Sequence, residues 1–202
     1  MHALTNGPST AERKLILAHG AGAPMDSEFM EVFAAGIASD DIRVVRFEFP
    51  YMAGRREGKK RGPDRMPILL SSYREIIAQE GGAARVVVGG KSMGGRVASM
   101  LAEESSVRGL LCLSYPFHPP KKPDDLRVDH LRKLTIPTLI VQGTRDPLGS
   151  REEVEGYGLS LDTRWLEDGD HDLSPRKKSG RTRDENWADA ISVSREFILS
   201  LP

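Results

Sequence analysis

Short apolar runs alternate with longer segments of helical periodicity along the whole chain. Short continuous apolar runs are typical of buried strands, whereas apolar residues recurring at i, i+3 and i+4 are typical of helices. The apolar runs predict strands at 14–19, 42–49, 85–89, 107–115, 137–142 and 163–166. The periodic segments predict helices at 28–38, 67–79, 94–104, 123–133 and 185–199.

Strands that are apolar on both faces and separated by helices predict a parallel sheet with helices on both sides. Right-handed crossover connections then give a doubly wound α/β fold. We expect a single domain over residues 1–202, with about six mostly parallel strands. The segment 116–136 between two of these strands is too short for a separate lid domain.

Composition narrows the class of protein. The 202 residues include 29 basic and 29 acidic side chains, so the formal net charge is zero, which argues against a nucleic-acid coat protein. The single cysteine, Cys112, lies in an apolar run and is expected to be buried rather than reactive. No run reaches the ~18 apolar residues of a membrane span. Residues 1–13 also lack the apolar stretch of a secretory signal, so we expect a cytoplasmic protein.

Polar and glycine-rich segments follow four of the predicted strands. Ligands of an open parallel sheet bind beyond the carboxyl ends of its strands, so these segments are expected to meet at one edge. The four segments are 19–22, 90–94, 142–146 and 168–171.

The segment Gly90-Lys91-Ser92-Met93-Gly94 fits the pattern G-x-S-x-G. In this motif a sharp turn between a strand and a helix exposes the serine hydroxyl. The same segment resembles the end of a phosphate-binding P-loop, but that motif requires glycine where this chain has Arg85. Ser92 is therefore our candidate nucleophile.

A serine hydroxyl needs a base to take its proton, and the base needs a group that orients it. We expect His171 to be the base and Asp146 to be the orienting acid, because both follow predicted strands. The order serine, acid, histidine along the chain is the one used by α/β-hydrolases. Other histidines and aspartates near the expected edge remain alternatives: His19, His118, Asp168, Asp170 and Asp172.

Acyl transfer also requires donors for the oxyanion that forms in the transition state. The first candidate is the backbone N–H of Met93, directly after the nucleophile. The second is the backbone N–H of Ala21, between Gly20 and Gly22 in the loop after the first predicted strand.

These residues, with the loop HGAGA at 19–23, resemble an α/β-hydrolase-fold serine hydrolase over nearly the whole chain. The segments GGKSMGGRVASM, YPFHPP, VQGTRDP and EDGDHDL resemble a small bacterial branch of that superfamily. This branch is similar to the hydrolase-like domain of testis-expressed and NSL-complex-subunit proteins and, distantly, to dienelactone hydrolases. Dienelactone hydrolases use a cysteine nucleophile, whereas position 92 here is serine. The resemblance implies a minimal fold without the N-terminal antiparallel strands of larger members.

The segments 54–65 and 176–183 are rich in basic residues and follow strands, so they are expected to border the site. A basic rim would favour an anionic substrate, whereas the alternative is a pair of solvated loops. Candidate substrate contacts in and near the rim are Tyr51, Tyr115, Phe117, His118, Arg55 and Arg56.

The sequence thus predicts a serine hydrolase that acts on a small ester or thioester through Ser92, Asp146 and His171, with anionic substrates among the candidates. We expect neither a metal nor a cofactor, and no nucleic-acid or membrane partner. The oligomeric state stays open, with a monomer among the options. The alternative function is a catalytically silent binding or scaffold protein that keeps the fold.

Overall fold

The computed structural model describes residues 2–104 and 106–202, and within these residues it contains one seven-stranded sheet. The strands are β1 Ala3–Asn6, β2 Arg13–Ala18, β3 Ile42–Phe47, β4 Val87–Lys91, β5 Gly109–Leu113, β6 Thr138–Gly143 and β7 Asp162–Leu166. Their order across the sheet is β1-β3-β2-β4-β5-β6-β7. All neighbouring pairs are parallel except β1 and β3. The predicted parallel α/β sheet is confirmed.

The expected number of strands was one too low. β1 pairs antiparallel with β3, with Ala3 opposite Phe47 and Asn6 opposite Val44. Its four residues, Ala3–Asn6, are too few to show a period and include only two apolar side chains. The fold therefore has one N-terminal antiparallel strand, where the family resemblance implied none.

The described residues also form six α-helices. They are α1 Glu28–Ile37, α2 Pro50–Arg56, α3 Met66–Gln79, α4 Met93–Glu104, α5 Arg151–Gly156 and α6 Arg183–Ser200. Four of them match predicted helices, whereas α2 and α5 were not predicted. The helix expected at 123–133 was wrong, because the structure has only a 3₁₀ turn there, Leu131–Lys133.

Two apolar clusters cover the two faces of the sheet. On one face, Ile16 and Val45 pack with residues of α3 and α4 such as Tyr73 and Val97. On the other, alternate residues of the same strands pack with α1 and α6, whose Trp187 belongs to this cluster. Since successive residues of a strand point to opposite faces, a strand that is apolar throughout requires this double cover.

The connection between β5 and β6, residues 114–137, contains the 3₁₀ turn and no inserted lid domain. Cys112 is buried in β5, and this burial raises the pKa of its thiol. In the described part of the chain, we find no helix with the length and apolar character needed to cross a membrane.

The order in which strands are added to the sheet changes direction between β2 and β4. From β2 the chain moves to β3 on one side, and it returns to β4 on the other side. A crevice opens at such a switch point, beyond the carboxyl ends of the two strands. The segments after β2 and β4, which carry the HGAGA loop and Ser92, border this crevice.

Candidate active site

Ser92 lies in a strained turn between β4 and α4. Its φ of 52° is in the left-handed region, which costs a non-glycine residue roughly 1–2 kcal/mol. Its backbone N–H donates to the carbonyl of Leu113 in β5 at 2.9 Å, which ties the turn to the sheet. The helix α4 begins at the next residue, Met93. The turn therefore holds the Ser92 side chain at the edge of the sheet.

Two glycines of the motif are required by close backbone contacts. A Cβ at Gly94 would lie 2.5 Å from the carbonyl oxygen of Ala18 and 2.6 Å from that of His19. A Cβ at Gly90 would lie 2.8 Å from the same Ala18 oxygen. Only glycine lets the start of α4 approach the end of β2 so closely.

Ser92, His171 and Asp146 form a continuous chain of hydrogen bonds. The Nε2 atom of His171 lies 2.8 Å from Ser92 Oγ. Its Nδ1 atom lies 2.8 Å from Asp146 Oδ2 and 3.0 Å from Oδ1. A carboxylate only accepts, so Nδ1 carries the proton, and Nε2 is free to accept from the serine hydroxyl. The three residues predicted from the sequence are therefore brought together by the fold.

Asp146 is fully buried, and its oxygens have further donors. The side-chain amide of Gln142 donates to Oδ2 at 3.0 Å, and the backbone N–H of Leu148 donates to Oδ1 at 2.8 Å. These hydrogen bonds fix the orientation in which the carboxylate accepts the hydrogen bond from His171 Nδ1. A buried carboxylate needs such partners, because an unpaired one would be costly.

The three alternative acids have other partners. Asp168 pairs with Arg145 at 3.0 Å and also binds Arg176. This Arg176 hydrogen bond is the main reason that the pKa of Asp168 falls well below its usual range. Asp170 accepts from the backbone N–H groups of Asp172 and Ser174 at 2.9 and 3.0 Å, and so closes the loop around His171.

Asp172 pairs with the buried amine of Lys91 at 3.3 Å. Lys91 also donates to the backbone carbonyl of His171, and its amine lies 5.2 Å from the centre of the Phe29 ring. Burial lowers the pKa of Lys91, and the charge of Asp172 acts in the opposite direction. The residue just before the candidate nucleophile thus holds the loop that carries the candidate base.

The loop after β2 is fixed by two buried rings. The Nε2 atom of His19 accepts the backbone N–H of Phe49 at 3.1 Å, so its Nδ1–H is the group that donates to Gly20 O at 2.7 Å. The hydroxyl of Tyr51 lies 3.0 Å from Ala21 O and 3.3 Å from Gly20 O. Burial lowers the pKa of His19 and raises that of Tyr51 to about 12. His19 therefore supports the loop and does not contact Ser92.

Two clefts meet at Ser92 and Ala21, which line both of them. The first, here the Phe29 cleft, has a volume of about 310 Å³. Its other walls include Phe29, Met30, Lys91, His171 and Asp172. The second, here the arginine cleft, has a volume of about 400 Å³. Its other walls include Met93, Arg96, Arg127, Met66, Leu69 and Leu148.

The structure does not place the expected substrate contacts in these clefts. Tyr51, Tyr115 and Phe117 are fully buried, and His118 is 3% exposed. Within the described residues, none of these four, nor Arg55 and Arg56, lines either cleft. The aromatic side chains pack beneath the site, because the apolar pattern that suggested a rim is equally the pattern of a core.

Six of the eleven basic residues in the segments 54–65 and 176–183 have acidic partners. Arg56 binds Glu48 and lies 2.6 Å from Asp26, and Arg183 binds Glu28 at 2.9 Å. Further basic residues of the segments 54–65 and 176–183 with acidic partners are Lys59, Arg61, Arg176 and Arg181. These pairs offset part of the positive charge expected of the rim.

Sequence reasoning missed four residues that border or support the site. Lys91 was inside the recognised motif, and Gln142 lies four residues before Asp146. Arg96 lies one helical turn after Ser92, so its position near the hydroxyl follows from helical geometry. Arg127 gave no sequence signal, because its segment was expected to be a helix.

Solved structures with a similar fold include three from bacteria. An alpha-beta serine hydrolase homologue from Coxiella burnetii is 16% identical, with a TM-score of 0.69 and coverage of 96% of this chain and 89% of that one. The esterase domain of a Rhodothermus marinus protein is 15% identical, with a TM-score of 0.68 and coverage of 98% and 91%. XC6422 from Xanthomonas campestris, an α/β serine hydrolase without a lid, is 15% identical, with a TM-score of 0.65 and coverage of 99% and 90%.

At these identities the likeness concerns the fold. The family comparison goes further, because it matches residues 11–199 to the alpha/beta hydrolase domain. The matched segment includes the whole strained turn, both clefts and the hydrogen-bonded residues at Ser92. The chain therefore belongs to the alpha/beta hydrolase domain family.

Proposed function

We propose that this protein is a serine hydrolase that cleaves a small ester or thioester through an acyl-enzyme. The observation that carries the proposal is the hydrogen-bond chain from Ser92 Oγ through His171 to the buried Asp146, with heavy-atom distances of 2.8 Å at both links. The strained backbone of Ser92 adds support, since strain of this kind persists mainly at functional sites.

In the first step, Ser92 Oγ attacks the carbonyl carbon of the ester while His171 Nε2 takes the hydroxyl proton. Asp146 keeps the proton of Nδ1 in place and stabilises the imidazolium that forms. The bond to the alcohol or thiol then breaks, and His171 returns its proton to the leaving group. The product of this half-reaction is an acyl group on Ser92.

In the second step, water attacks the acyl carbon and His171 takes one of its protons. The bond from the acyl carbon to Ser92 Oγ breaks, the proton returns to Ser92, and the carboxylic acid leaves. The same base serves both halves, so no additional titratable group is required.

The oxyanion is assigned to the backbone N–H groups of Met93 and Ala21. Met93 is the first residue of α4, where backbone N–H groups have no partner inside the helix. Ala21 lies beside Ser92 in both clefts, and Tyr51 and His19 hold its loop through the carbonyls of Ala21 and Gly20.

Esterase or thioesterase chemistry is preferred to peptidase chemistry, because the clefts are small and lie directly beside Ser92. The similar fold of an esterase domain from Rhodothermus marinus favours the same choice. The proposal includes a closer relationship to the branch that contains the NSL-complex-subunit proteins and, distantly, the dienelactone hydrolases. It also includes a cytoplasmic location and a single domain over residues 1–202.

A fluorophosphonate probe and a panel of acyl esters test the proposal. The probe is expected to label Ser92 in the folded protein. Ser92→Ala is expected to lose both labelling and hydrolysis. Asp146→Asn is expected to lower kcat about 10³- to 10⁴-fold, because the amide favours the wrong histidine tautomer. Absence of labelling in the folded wild type would favour the silent binding protein, and full esterase activity of Ser92→Ala would exclude the acyl-enzyme.

A further inference from the structure

The arginine cleft contains two guanidinium groups beside Ser92. Arg96 comes from α4, and Arg127 comes from the connection between β5 and β6. The remainder of the wall is largely apolar, with Met66, Leu69 and Leu148 among its residues. Two cations in a largely apolar cleft need an explanation from the chemistry of what binds there.

Arg96 is aimed at the site by the helix that carries it. Its backbone N–H donates to the carbonyl of Ser92 at 3.0 Å, so the two residues are one turn apart. Side chains of an α-helix incline toward its N-terminus, which here is the end beside the Ser92 hydroxyl. The Arg96 side chain therefore extends along the wall of the cleft toward Ser92.

Arg127 is held in place through its backbone. Its N–H donates to the carbonyl of Phe117 at 2.8 Å, and its carbonyl accepts from the buried hydroxyl of Tyr115 at 2.9 Å. Tyr115 and Phe117, two of the aromatic residues expected to contact substrate, therefore fix a residue that lines the cleft. The guanidinium itself takes no part in this anchoring.

Among the groups that the structure describes, no hydrogen bond or ion pair involves either guanidinium. The Nε atom of Arg96 is fully buried and has no partner. Burial lowers the pKa of Arg127, and the charge of Arg96 lowers it further, while the more weakly acting Asp125 opposes this. The arginines of the rim differ, since Arg56 and Arg183 each bind a carboxylate.

The acidic residue that lines the cleft, Asp64, has other partners. Its Oδ2 atom accepts the backbone N–H of Tyr51 at 2.8 Å, and its Oδ1 atom lies 3.7 Å from Arg61. In the part of the chain that the structure describes, neither Arg96 nor Arg127 pairs with this carboxylate, and both keep unused donors.

We propose that the arginine cleft binds an anionic oxygen group of the substrate, a carboxylate or a phosphate, through Arg96 and Arg127. The apolar wall holds the carbon chain between this group and the carbonyl attacked by Ser92. The inference rests on the proposed function, because the cleft is a substrate site only if Ser92 is the nucleophile. The substrate class is then a small ester or thioester with one anionic end.

The physical reason is the fit between planar guanidinium groups and oxyanions. Arginine offers parallel N–H donors that match two oxygens of a carboxylate or phosphate. Two partly buried cations of like charge repel each other, and a bound anion removes this repulsion. The volume of about 400 Å³ lies within the range of small-molecule sites and suits a short hemi-ester.

The test compares two esters with the same leaving group, 4-nitrophenyl butanoate and mono-4-nitrophenyl glutarate. Wild-type protein is expected to hydrolyse the anionic ester with a kcat/KM about 10- to 100-fold higher, mainly through a lower KM. Inhibition of butanoate hydrolysis by glutarate and by inorganic phosphate distinguishes the two anions.

Variants then assign the preference to the cleft. Arg96→Met and Arg127→Met are each expected to lower kcat/KM about 10-fold or more for the glutarate ester. The loss for the butanoate ester should be at least about 3-fold smaller than the loss for the glutarate ester, because the butanoate ester has no anionic end. Arg96→Lys should restore part of the preference, since it keeps the charge but not the paired donors. Since the two arginines lie on separate elements, a folding defect in one variant leaves the other informative.

Arg85→Met is the matched control. It removes the same charge from an exposed position just before β4, whereas Ser92 follows the other end of this strand. It is expected to leave both esters unaffected. An equal loss in this variant would assign the preference to the net charge of the protein and overturn the inference.

Failure of this inference differs from failure of the proposed function. Hydrolysis of both esters at equal rates, abolished in Ser92→Ala, keeps the function and overturns the anion site. If neither ester is hydrolysed, calorimetry measures the binding of monomethyl glutarate to the Ser92→Ala protein, which shows whether the anion site exists. Binding that Arg127→Met weakens about 10-fold supports the site, and absence of binding overturns it.

Discussion

Lys91 Nζ donates a hydrogen bond to the backbone carbonyl oxygen of His171. The residue before the candidate nucleophile thus holds the residue assigned as the base. Its amine is largely buried between this carbonyl, Asp172 and the ring of Phe29. The strand end that presents Ser92 therefore also positions the loop that approaches Ser92 from β7.

Replacing Lys91 by Met is expected to lower kcat for ester hydrolysis about 10- to 100-fold, because small displacements of a base from its reacting group are costly. KM should change less, since the substrate contacts remain. Steady-state kinetics measures both constants. Lys14→Met is the control, because Lys14 also binds a backbone carbonyl, that of Glu80, but at the other end of β2. An equal loss of kcat in both variants would contradict a positioning role for Lys91.

Relief of the backbone strain at Ser92 is expected to stabilise the folded protein even though activity is lost. Both Ser92→Ala and Ser92→Gly remove the hydroxyl, but only glycine adopts a φ of 52° without cost. Ser92→Gly should therefore be more stable than Ser92→Ala by about 1 kcal/mol. Denaturant unfolding of the two inactive variants measures the difference. Equal stabilities would show that the turn does not strain the residue.

A methyl group at Gly94 is expected to destabilise the protein by about 1–3 kcal/mol, as overpacking of backbone typically does. The added Cβ would lie 2.5 Å from the carbonyl oxygen of Ala18, so α4 must move away from β2. Gly156→Ala in α5 is the control, because no heavy atom lies within 4 Å of its added Cβ. Thermal unfolding of both variants is the measurement, and equal melting temperatures would contradict the close approach.

Acid is expected to destabilise the protein through His19. Burial keeps the pKa of His19 below its usual value of about 6.5, so the unfolded chain binds this proton at a higher pH than the folded protein does. The unfolded state therefore gains protons first as the pH falls, and the stability decreases below about pH 6.5, by at most about 1.4 kcal/mol per pH unit.

His19→Gln removes this proton but keeps an acceptor for Phe49 N–H and a donor for Gly20 O. The stability of the wild type relative to this variant should therefore fall between about pH 7 and about pH 5. Denaturant unfolding at several pH values measures the difference. A constant difference across this range would show that His19 titrates alike in the folded and unfolded states.

Much of the fold follows from local patterns. The strands β2, β4, β5 and β6 are continuous apolar runs, and such runs can be buried only in a sheet covered on both faces. The short helices α2 and α5 were not predicted. In α2, Pro50 and Gly54 are residue types that are more typical of turns than of helices. The helix α5 is marked only by the capping pair of Ser150 and Glu153.

The residue types at the ends of the strands can be read from the amino-acid order alone, and so Ser92, Asp146 and His171 could be selected. Gly90 and Gly94 around Ser92 mark a turn that only a strand followed by a helix requires. These are properties of short segments, so they can be recognised from the sequence alone.

Which residues surround Ser92 depends on how the elements of the fold pack together. The aromatic residues Tyr51 and Tyr115 have the same apolar character whether they line a cleft or pack beneath it, and the fold buries both. Some basic residues of the segments 54–65 and 176–183 pair with carboxylates distant in sequence, as Arg183 does with Glu28. Arg127 is held at the cleft by hydrogen bonds with Tyr115 and Phe117, which lie earlier in the same connection between β5 and β6. Contacts of this kind depend on how the elements pack, which a local pattern does not encode.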